Sequence, residues 1–379
     1  LLYWITRIPH FLAHNLRRLP ASSGLPSRSR VSLVIAARDE GPHIAATVKS
    51  FASQNYPDLE IIIVNDRSTD QTGRILDELA LEEPRLKVVH NTELPSGWLG
   101  KCWSLHQGTR LASGDWLLFS DGDVLLEKQT LMRAVMRCEQ DGYDHICIAP
   151  RIISASFIQE AVTQSLAMLF FLFQNPRAIN APNRPSAYMG VGAFNMVRRS
   201  NYEAFGGHVP LRLEVVDDVF LGMLVKRFGG RSAFFLGPDA GHIHWYAGLL
   251  AYIRGLEKNA FAGLRFSIPL LIIAVLGQIL IFFAPLVIVI FGNSMESLLG
   301  LFSLLIAHGL FVSTCVRQES SAYHGILLLP AIILQFYTFI RSAFVISRKK
   351  GVTWRDTFYE LQDLKDAQRR LRGPLIPKR

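Results

Sequence analysis

The chain has 379 residues, of which 50% are hydrophobic and 19% charged, and its formal net charge is +9. This balance favours a membrane protein, in which residues 30–245 read as a soluble α/β domain and residues 268–347 as mostly lipid-facing. The absence of a basic–aromatic motif argues against nucleic acid as a partner, and four cysteines without paired spacing argue against a disulfide framework or a zinc site.

The predicted elements begin with residues 1–29, a segment that we expect to lie close to a membrane. Its apolar part, Leu1–Leu19, fits either the remnant of a membrane span or a short helix at the membrane surface. Basic residues near both ends of the chain are typical of the cytoplasmic side of a bilayer. They are Arg7, Arg17, Arg18, Arg28 and Arg30, and then Arg348, Lys349, Lys350, Arg369, Arg370, Arg372, Lys378 and Arg379.

Short apolar runs then alternate with helix-like segments. The runs are Ser32–Ala37, Glu60–Asn65, Leu86–Val89 and Trp116–Ser120, and the helix-like segments are His43–Gln54, Gln71–Leu81 and Lys101–Ala112. This alternation predicts a mostly parallel sheet covered by helices, and runs as apolar as "EIIIVN" indicate strands buried on both faces. We therefore predict an α/β domain over residues 30–248.

Acidic residues follow three of these predicted strands. Glu40 comes after the first strand, Asp66 after the second, and Asp121 and Asp123 after the fourth. Ligands of open parallel sheets bind outside the carboxyl ends of the strands. We therefore expect these carboxylates to meet at one edge of the sheet.

Asp121 and Asp123 form a DxD motif in "WLLFSDGDVLL". Two carboxylates one residue apart are suitable ligands for Mg²⁺ or Mn²⁺, which complete their coordination with phosphate oxygens and water. The alternative for an isolated motif of this kind is a hydrated turn. The neighbouring acids favour the metal site.

Two further features indicate a nucleotide. Asp66 can accept hydrogen bonds from a nucleobase or ribose, although alone it would equally serve as a helix cap. Lys101 stands at the start of a predicted helix, where free backbone N–H groups and its own charge favour a phosphate. A packed loop with a solvent-facing lysine is the alternative.

The next segments are a helix that is buried or lies on the membrane, a Pro/Asn-rich connection, a strand, and an acidic turn that opens a helix. Their ranges are 157–175, Pro176–Tyr188, Gly190–Arg199 and Glu214–Gly230. Asp217 and Asp218 form a second acidic pair and raise each other's pKa, which suits a general base, so both are candidate catalytic residues. The alternative is helix capping, which Asp217 could provide while Asp218 reaches the site. His242 and His244 lack a third ligand at suitable spacing, so we predict a core or acceptor-site role rather than a metal site.

The C-terminal part reads as membrane-associated. An amphipathic helix over Leu249–Phe266 forms an interfacial segment, residues 249–267. Ile268–Phe291 has no charged residue and, at about 1.5 Å per residue, exceeds the ~30 Å hydrocarbon core. With Leu298–Val316 and Gly325–Ser347 it predicts transmembrane helices over 268–347, before a basic cytoplasmic tail over 348–379. Because three crossings would put that tail outside, we expect one of them to be re-entrant or interfacial.

These residues together suit the displacement of a nucleoside diphosphate from an activated sugar. A metal ion and Lys101 would stabilise the charge that grows on the leaving diphosphate. Asp218 would deprotonate an acceptor hydroxyl that attacks the anomeric carbon from the opposite face. A single displacement of this kind inverts the anomeric configuration.

The same stretches resemble membrane-bound glycosyltransferases of family 2 with the GT-A fold. The resemblance is closest to the branch with hopanoid- and carotenoid-associated enzymes and more distant to ceramide glucosyltransferase, and it covers roughly residues 30–265. It is carried by "VIAARDE" (Val34–Glu40), "VNDRSTD" (Val64–Asp70), "LPSGWLGKCWS" (Leu94–Ser104), "FSDGDV" (Phe119–Val124), "GVGAFNMVRRSNYEAFGGH" (Gly190–His208) and "VVDDVFLG" (Val215–Gly222).

The resemblance implies roles for residues of the nucleotide and metal sites. Ala37, Glu40 and Asp66 are expected to face the uridine part of a UDP-sugar. Asp121 and Asp123 correspond to the metal motif of the family, with Asp123 as the direct ligand.

The resemblance also implies which residue is the catalytic base, and the sequence departs from the family pattern in two motifs. Asp218 matches the second acid of the family's ED pair, the expected base, whereas the first acid is Asp217 instead of Glu. The QxxRW motif of processive members is absent, and "RGLEKN" (Arg254–Asn259) stands at its place. A later Trp-basic-Gly-basic-x-Tyr element reads "WRDTFY" (Trp354–Tyr359), which puts a contribution of Arg355 to the active site in doubt.

We therefore predict an integral membrane enzyme whose catalytic domain faces the cytoplasm. It would be an inverting, metal-dependent glycosyltransferase that moves a single hexose from a UDP-sugar to a lipid acceptor. A processive polysaccharide synthase is one alternative, which the missing QxxRW motif disfavours. A catalytically inactive membrane scaffold is the other, which the intact Asp121, Asp123 and Asp218 disfavour.

Overall fold

A computed structural model describes residues 1–13, 19, 29–174, 176–182 and 184–373. The basic residues Arg17, Arg18, Arg28, Lys378 and Arg379 lie outside the described residues. The chain divides into two compact units, each described here by itself. The helical unit comprises residues 1–16, 152–177 and 244–366, and the sheet unit comprises residues 17–151, 178–243 and 367–379.

The chain begins with helix α1 (Leu2–Ala13) of the helical unit. The sheet unit then alternates strands and helices as predicted, with bounds that differ from the prediction by at most a few residues. The elements are β1 (Val31–Ala37), α2 (Gly41–Ala52), β2 (Leu59–Asp66), α3 (Thr72–Glu82), β3 (Leu86–Asn91), α4 (Gly100–Leu111) and β4 (Trp116–Ser120).

The middle of the chain completes the sheet. Its elements are β5 (Val124–Leu126), α5 (Thr130–Asp141), β6 (His145–Ile153), α6 (Phe157–Phe173), α7 (Pro176–Asn180), β7 (Asn195–Arg198), α8 (Arg199–Ala204), α9 (Asp217–Arg227) and β8 (Ser232–His244). Helix α6 belongs to the helical unit, where it packs against helices described below.

The sheet in the described part of the chain has eight strands in the order β3-β2-β1-β4-β7-β6-β8-β5. Strand β1 is parallel to both neighbours, with Val31 opposite Leu59 of β2 and Trp116 of β4. Strand β7 runs antiparallel to β4 and β6, and β5 runs antiparallel to β8. The predicted α/β class with a mostly parallel sheet is confirmed, and the carboxyl ends of β1, β2 and β4 lie at one edge.

Burial on both faces explains why polar and apolar residues do not alternate along these strands. Every residue of β2 is buried, as expected for a strand covered by helices on both faces. A hydrophobic cluster joins Phe119 of β4 with Tyr202 of α8 and with Phe220 and Leu221 of α9. This packing places the start of α9 beside the carboxyl end of β4.

The predicted strand Gly190–Arg199 is shorter than expected. Strand β7 begins only at Asn195, and a turn precedes it in which the Phe194 N–H donates to the Val191 carbonyl at 3.0 Å. At Gly190 an added Cβ would lie 1.7 Å from the Asp218 carbonyl oxygen, so the chain approaches α9 instead of pairing in the sheet. The apolar pattern carried no signal for this tertiary contact.

The helical unit contains the apolar C-terminal helices. They and the elements that follow are α10 (Leu249–Gly263), α11 (Ile268–Phe282), α12 (Ala284–Phe291), α13 (Ser294–Arg317), a 3-10 helix (Ala322–Leu327), α14 (Leu328–Lys349), β9 (Gly351–Trp354), β10 (Thr357–Glu360) and α15 (Leu361–Arg372). Helix α6 packs against α13 and α14.

Three segments among the described residues are long and apolar enough to cross a membrane: Ile268–Phe291, Ser294–Arg317 and Ala322–Lys349. The first is not one continuous helix, because α11 ends at Phe282 and α12 starts at Ala284 with Pro285 in its first turn. Proline lacks a backbone N–H and its ring crowds the preceding turn, which interrupts the helix. This proline was visible in the sequence as a break signal.

The compact units are discontinuous, whereas the predicted ranges 1–29, 30–248, 249–267, 268–347 and 348–379 are continuous. Residues 152–177 lie in the helical unit, within the range predicted for the α/β domain. Residues 367–373 lie in the sheet unit, within the range predicted as a tail. Part of that tail folds into the β9–β10 hairpin and helix α15.

Candidate active site

The predicted site residues lie at the ends of three neighbouring strands and at the starts of two helices of the sheet unit. Glu40 follows β1, Asp66 ends β2, and Asp121 follows β4. Lys101 is the second residue of α4, and Asp217 is the first residue of α9. The fold therefore gathers these groups although they are far apart along the chain.

Lys101 connects three of the predicted acids. Its Nζ lies 2.8 Å from Asp121 Oδ1 and 3.6 Å from Asp217 Oδ1. Burial by itself lowers the pKa of Lys101, but the charges of Asp121, Asp217 and Asp218 outweigh burial and raise the pKa well above its usual value. The lysine is therefore firmly cationic and is paired with carboxylates, although 22% of its side chain is exposed.

Asp218 lies in the same cleft as Lys101. The cleft is lined by both residues together with Ser120, Gly192 and Asp217. Burial first, and then the charge of Asp217, raises the pKa of Asp218, and Lys101 offsets part of the rise. A carboxylate with a raised pKa beside a cleft has the properties of a general base. The alternative role of Asp217 as a helix cap is not observed, because the residue before α9 is Val216 and no side chain caps the helix.

Asp123 lies near two other acidic residues, Asp121 and Glu40. Burial, followed by the charges of Asp121 and Glu40, raises the pKa of Asp123 to about 7. Glu40 also contacts the position of Gly122, where an added Cβ would be 3.3 Å from Glu40 Cγ. A bound cation would relieve this repulsion.

The donor set fits a cation that shares its coordination with a substrate. Among the described residues, no three His, Cys, Asp or Glu side chains come together as metal ligands. Two carboxylates such as Asp121 and Asp123 are ligands of a kind that Mg²⁺ or Mn²⁺ takes, with phosphate oxygens and water in the remaining positions. His242 and His244 on β8 accordingly belong to no such group.

Asp66 and Ala37 occupy the ends of β2 and β1, respectively. Asp66 is buried and accepts two hydrogen bonds from Arg67, at 2.8 and 2.9 Å. A Cβ added at Gly100 would lie 2.3 Å from Asp66 Oδ2, so the start of α4 approaches this carboxylate closely. Ala37 is fully buried at the end of β1 and is paired in register with Asn65.

The loops after β1 and β2 are fastened to each other by polar contacts. The Asp39 N–H donates to Ser68 Oγ at 3.0 Å, and the Thr69 N–H donates to Asp39 Oδ1 at 2.8 Å. The Gly41 N–H donates to Asp70 Oδ2 at 3.0 Å. These bonds hold the start of α2 against the loop that carries Asp66.

A buried hydrogen-bond chain that we did not predict supports Asp218. Asn195 Nδ2 donates to the Asp218 carbonyl at 3.1 Å, so Asn195 Oδ1 accepts from His145 Nε2 at 2.6 Å. His145 Nδ1 then accepts from Ser232 Oγ at 2.7 Å. Burial lowers the pKa of His145 to about 4, which keeps this neutral tautomer. The lone histidine in the apolar run "HICIA" was the available sequence signal.

Comparison with known proteins finds similarity over part of the chain. Residues 32–206 match the model of glycosyl transferase family 2. A beta-monoglucosyldiacylglycerol synthase of Nostoc is 31% identical over 127 residues, which cover 33% of this chain and 27% of the relative. A 4,4'-diaponeurosporenoate glycosyltransferase of Staphylococcus haemolyticus is 21% identical over 243 residues, which cover 63% of each chain.

The structural comparison agrees in fold. The mannosyltransferase PcManGT from Pyrobaculum calidifontis, solved in complex with GDP-Man and Mn²⁺, aligns with a TM-score of 0.54 at 17% identity. The alignment covers 92% of this chain and 95% of that one, so the GT-A fold predicted from the resemblance is confirmed. Residues 32–206 of this chain are thus similar to glycosyl transferase family 2.

Proposed function

We propose that this protein is an inverting glycosyltransferase that transfers one hexose from a UDP-sugar to a lipid acceptor at the cytoplasmic face of a membrane. The observation that carries the proposal is the convergence of Lys101, Asp121 and Asp217 within 3.6 Å contacts, in a cleft that Asp218 also lines. Lys101, the candidate metal ligands Asp121 and Asp123, and the candidate base Asp218 would then act on one bound molecule.

The donor would lie along the carboxyl edge of the sheet. Ala37, Glu40 and Asp66 line the ends of adjacent strands, which suits the uridine part of the donor. Lys101 stands in the first turn of α4, where its charge and the free N–H groups of that turn favour the diphosphate. On arrival of the diphosphate, Lys101 would exchange a carboxylate partner for phosphate oxygens.

Asp121 and Asp123 would hold Mg²⁺ or Mn²⁺ together with phosphate oxygens of the donor. When bound, the cation supplies positive charge that stabilises the leaving diphosphate. Repulsion of Asp123 by Asp121 and Glu40 supports such a site, since a bound cation would offset it.

Asp218 would accept the proton of the acceptor hydroxyl as this oxygen bonds to the anomeric carbon. The bond from that carbon to the diphosphate breaks in the same displacement, and the configuration inverts. Asn195 donates a hydrogen bond to the Asp218 carbonyl and the charge of Asp217 raises the Asp218 pKa, so both residues would influence the base.

A lipid acceptor is supported by the apolar helices and by the relatives. Three described segments are long enough to span a membrane. The two relatives are named for a glucosyldiacylglycerol and for a diaponeurosporenoate, which are both lipids. Arg348, Lys349 and Lys350 at the end of α14 favour a cytoplasmic face.

The release of UDP by purified protein in detergent tests this proposal, with Mn²⁺ or Mg²⁺ and a panel of UDP-sugars. We expect release with one UDP-hexose, stimulated by a lipid extract, and loss of release in Asp218→Asn. Mass spectrometry of the lipid product separates the alternatives, because one added hexose supports our proposal and a ladder of sugars supports a processive synthase. No release with any donor would support the inactive scaffold.

A further inference from the structure

Part of the catalytic cleft is lined by residues to which the proposed reaction assigns no role. Beside its charged groups, the cleft is bounded by Leu105, Phe119, Leu221 and His208. Three of these four side chains are apolar. His208 is the exception and follows the glycine pair of the segment "GGH" after α8.

His208 is held in a defined orientation. Its Nδ1 lies 2.6 Å from the Tyr202 hydroxyl, and its backbone N–H donates to the same hydroxyl at 3.1 Å. The edge of its ring packs against Phe119, at 4.9 Å between ring centroids. His208 is 1% exposed, and burial lowers its pKa to about 3, so the imidazole is neutral at physiological pH.

The second ring nitrogen of His208 has spare hydrogen-bonding capacity. In the described part of the chain no group forms a hydrogen bond to Nε2. The other uncharged polar side chains of the cleft are already engaged. Ser120 Oγ donates to the Ala193 carbonyl at 2.8 Å, and Asn195 bonds both His145 and the Asp218 carbonyl.

The position of His208 indicates which part of a donor it would meet. This step rests on the proposed function, in which the diphosphate lies at Lys101 and the base is Asp218. In that arrangement the transferred hexose would lie between these two residues, against the lining that includes His208. A neutral imidazole nitrogen pairs with a hydroxyl in either tautomer, because a hydroxyl both donates and accepts.

We propose that His208 Nε2 binds one hydroxyl of the transferred hexose and so contributes to the choice of donor sugar. Tyr202 is the positioning residue, because it fixes the ring through Nδ1. A site built to pair a sugar hydroxyl rejects an analogue that lacks it, since a buried polar group is then left without a partner.

Two substitutions separate this role from a purely structural one. Asparagine places its amide near the Nδ1 position and keeps the contact with Tyr202, whereas glutamine reaches the Nε2 position. We expect His208→Asn to lower kcat/KM for the UDP-hexose at least about tenfold, and His208→Gln to retain more activity. The opposite order, with thermal unfolding showing both variants folded, would mean that the contact with Tyr202 is what matters.

Deoxy donors identify the hydroxyl and provide a second readout. Analogues of the accepted UDP-hexose, each lacking one hydroxyl, are compared in wild type and His208→Asn. We expect one analogue to be poor in wild type and to suffer no further loss in the variant. Equal losses with every analogue would overturn the inference.

Calorimetry separates this inference from the proposed function. We expect His208→Asn to weaken binding of the UDP-hexose and to leave binding of UDP unchanged. If the wild type turns over the UDP-hexose but His208→Asn binds it with unchanged affinity, the inference about His208 is overturned and the proposed function stands. Absence of turnover with every nucleotide sugar overturns the proposed function, and the inference with it.

Discussion

Lys101 is paired with carboxylates from two distant segments, Asp121 after β4 and Asp217 at the start of α9. The lysine offsets part of their negative charge and part of that of Asp218. The offset is incomplete, because burial and the charge of Asp217 still raise the pKa of Asp218. At the scale of single residues, burial and neighbouring charges thus produce both a firm cation and a carboxylate suited to accept a proton.

Substitution of Asp218 tests the base. We expect Asp218→Asn to lower transfer by about 10²–10⁴-fold with donor affinity largely kept, because asparagine cannot accept the proton. The folded-state pKa of Asp218 is raised, so its ionisation at neutral pH costs stability, and that cost disappears below the unfolded pKa of about 4. Calorimetric unfolding should therefore show a higher Tm for the variant at pH 7 and no gain at pH 4.

The pH profile tests the influence of Asp217 on the base. Transfer requires ionised Asp218, so kcat/KM falls as the pH drops through its raised pKa. Asp217→Asn removes a charge that raises this pKa, and the acid limb of the profile should move to lower pH. An acid limb that does not move would show that another group titrates there.

Substitution of Asp123 tests the metal site. We expect Asp123→Ala to weaken binding of the nucleotide sugar about tenfold or more and to remove its dependence on Mg²⁺ or Mn²⁺. Chelation by EDTA should abolish transfer by wild type. Asp77→Ala, which changes an aspartate whose side chain is 62% exposed, serves as the matched control and should behave as wild type in calorimetry.

At the scale of elements, α9 and the turn before β7 form one closely packed pair. An added Cβ would lie 1.7 Å from the Asp218 carbonyl oxygen at Gly190, and 1.9 Å from the Met189 carbonyl oxygen at Gly222. Backbone therefore touches backbone at two points, and Asn195 adds a hydrogen bond. The placement of the base depends on this contact.

A methyl group at Gly190 tests this packing. Backbone atoms cannot yield as a flexible side chain does, so we expect Gly190→Ala to shift the start of α9 and to cost about 1–3 kcal/mol of stability. Transfer should fall with it. Gly263→Ala is the control, because an added Cβ there meets no atom within 4 Å. Equal Tm and activity in the two variants would contradict the role assigned to the contact.

At the scale of the whole molecule, each unit contains segments distant in the chain. In the helical unit, Arg341 of α14 pairs with Glu257 of α10 at 2.6 Å, which explains how one of the apolar candidate spans carries an arginine. In the sheet unit, the end of α15 packs beside α9. Gln368 donates to Glu214 at 2.8 Å, and Arg227 donates to the Leu371 carbonyl at 2.6 Å.

Truncation tests whether this C-terminal segment is structural. A chain ending at Asp366 loses the buried Leu371 and the hydrogen bond from Gln368 to buried Glu214, and we expect a loss of at least about 2 kcal/mol in stability. Transfer should fall because Glu214 precedes the acidic pair. A chain ending at Gly373 keeps these contacts and should match the full chain in Tm and activity.

The sequence by itself determined the alternation of β and α elements, the apolar spans, and the acids at strand ends. Trp116–Ser120 was placed with its observed bounds, because continuous apolarity and the polar residues that follow are local signals. The mostly parallel sheet followed from that alternation, and the edge on which the acids lie followed from the sheet.

Only the tertiary structure decided which of these acids contact Lys101 and where β7 begins. It also decided that residues 152–177 belong to the helical unit and residues 367–373 to the sheet unit, although the residues that precede them in the chain belong to the other unit. Asn195, His145 and His208 likewise emerged only from the fold. Contacts between residues far apart in the chain leave no periodic pattern in composition. They depend on how side chains pack and on where glycine lets two backbone segments approach closely once the elements have packed.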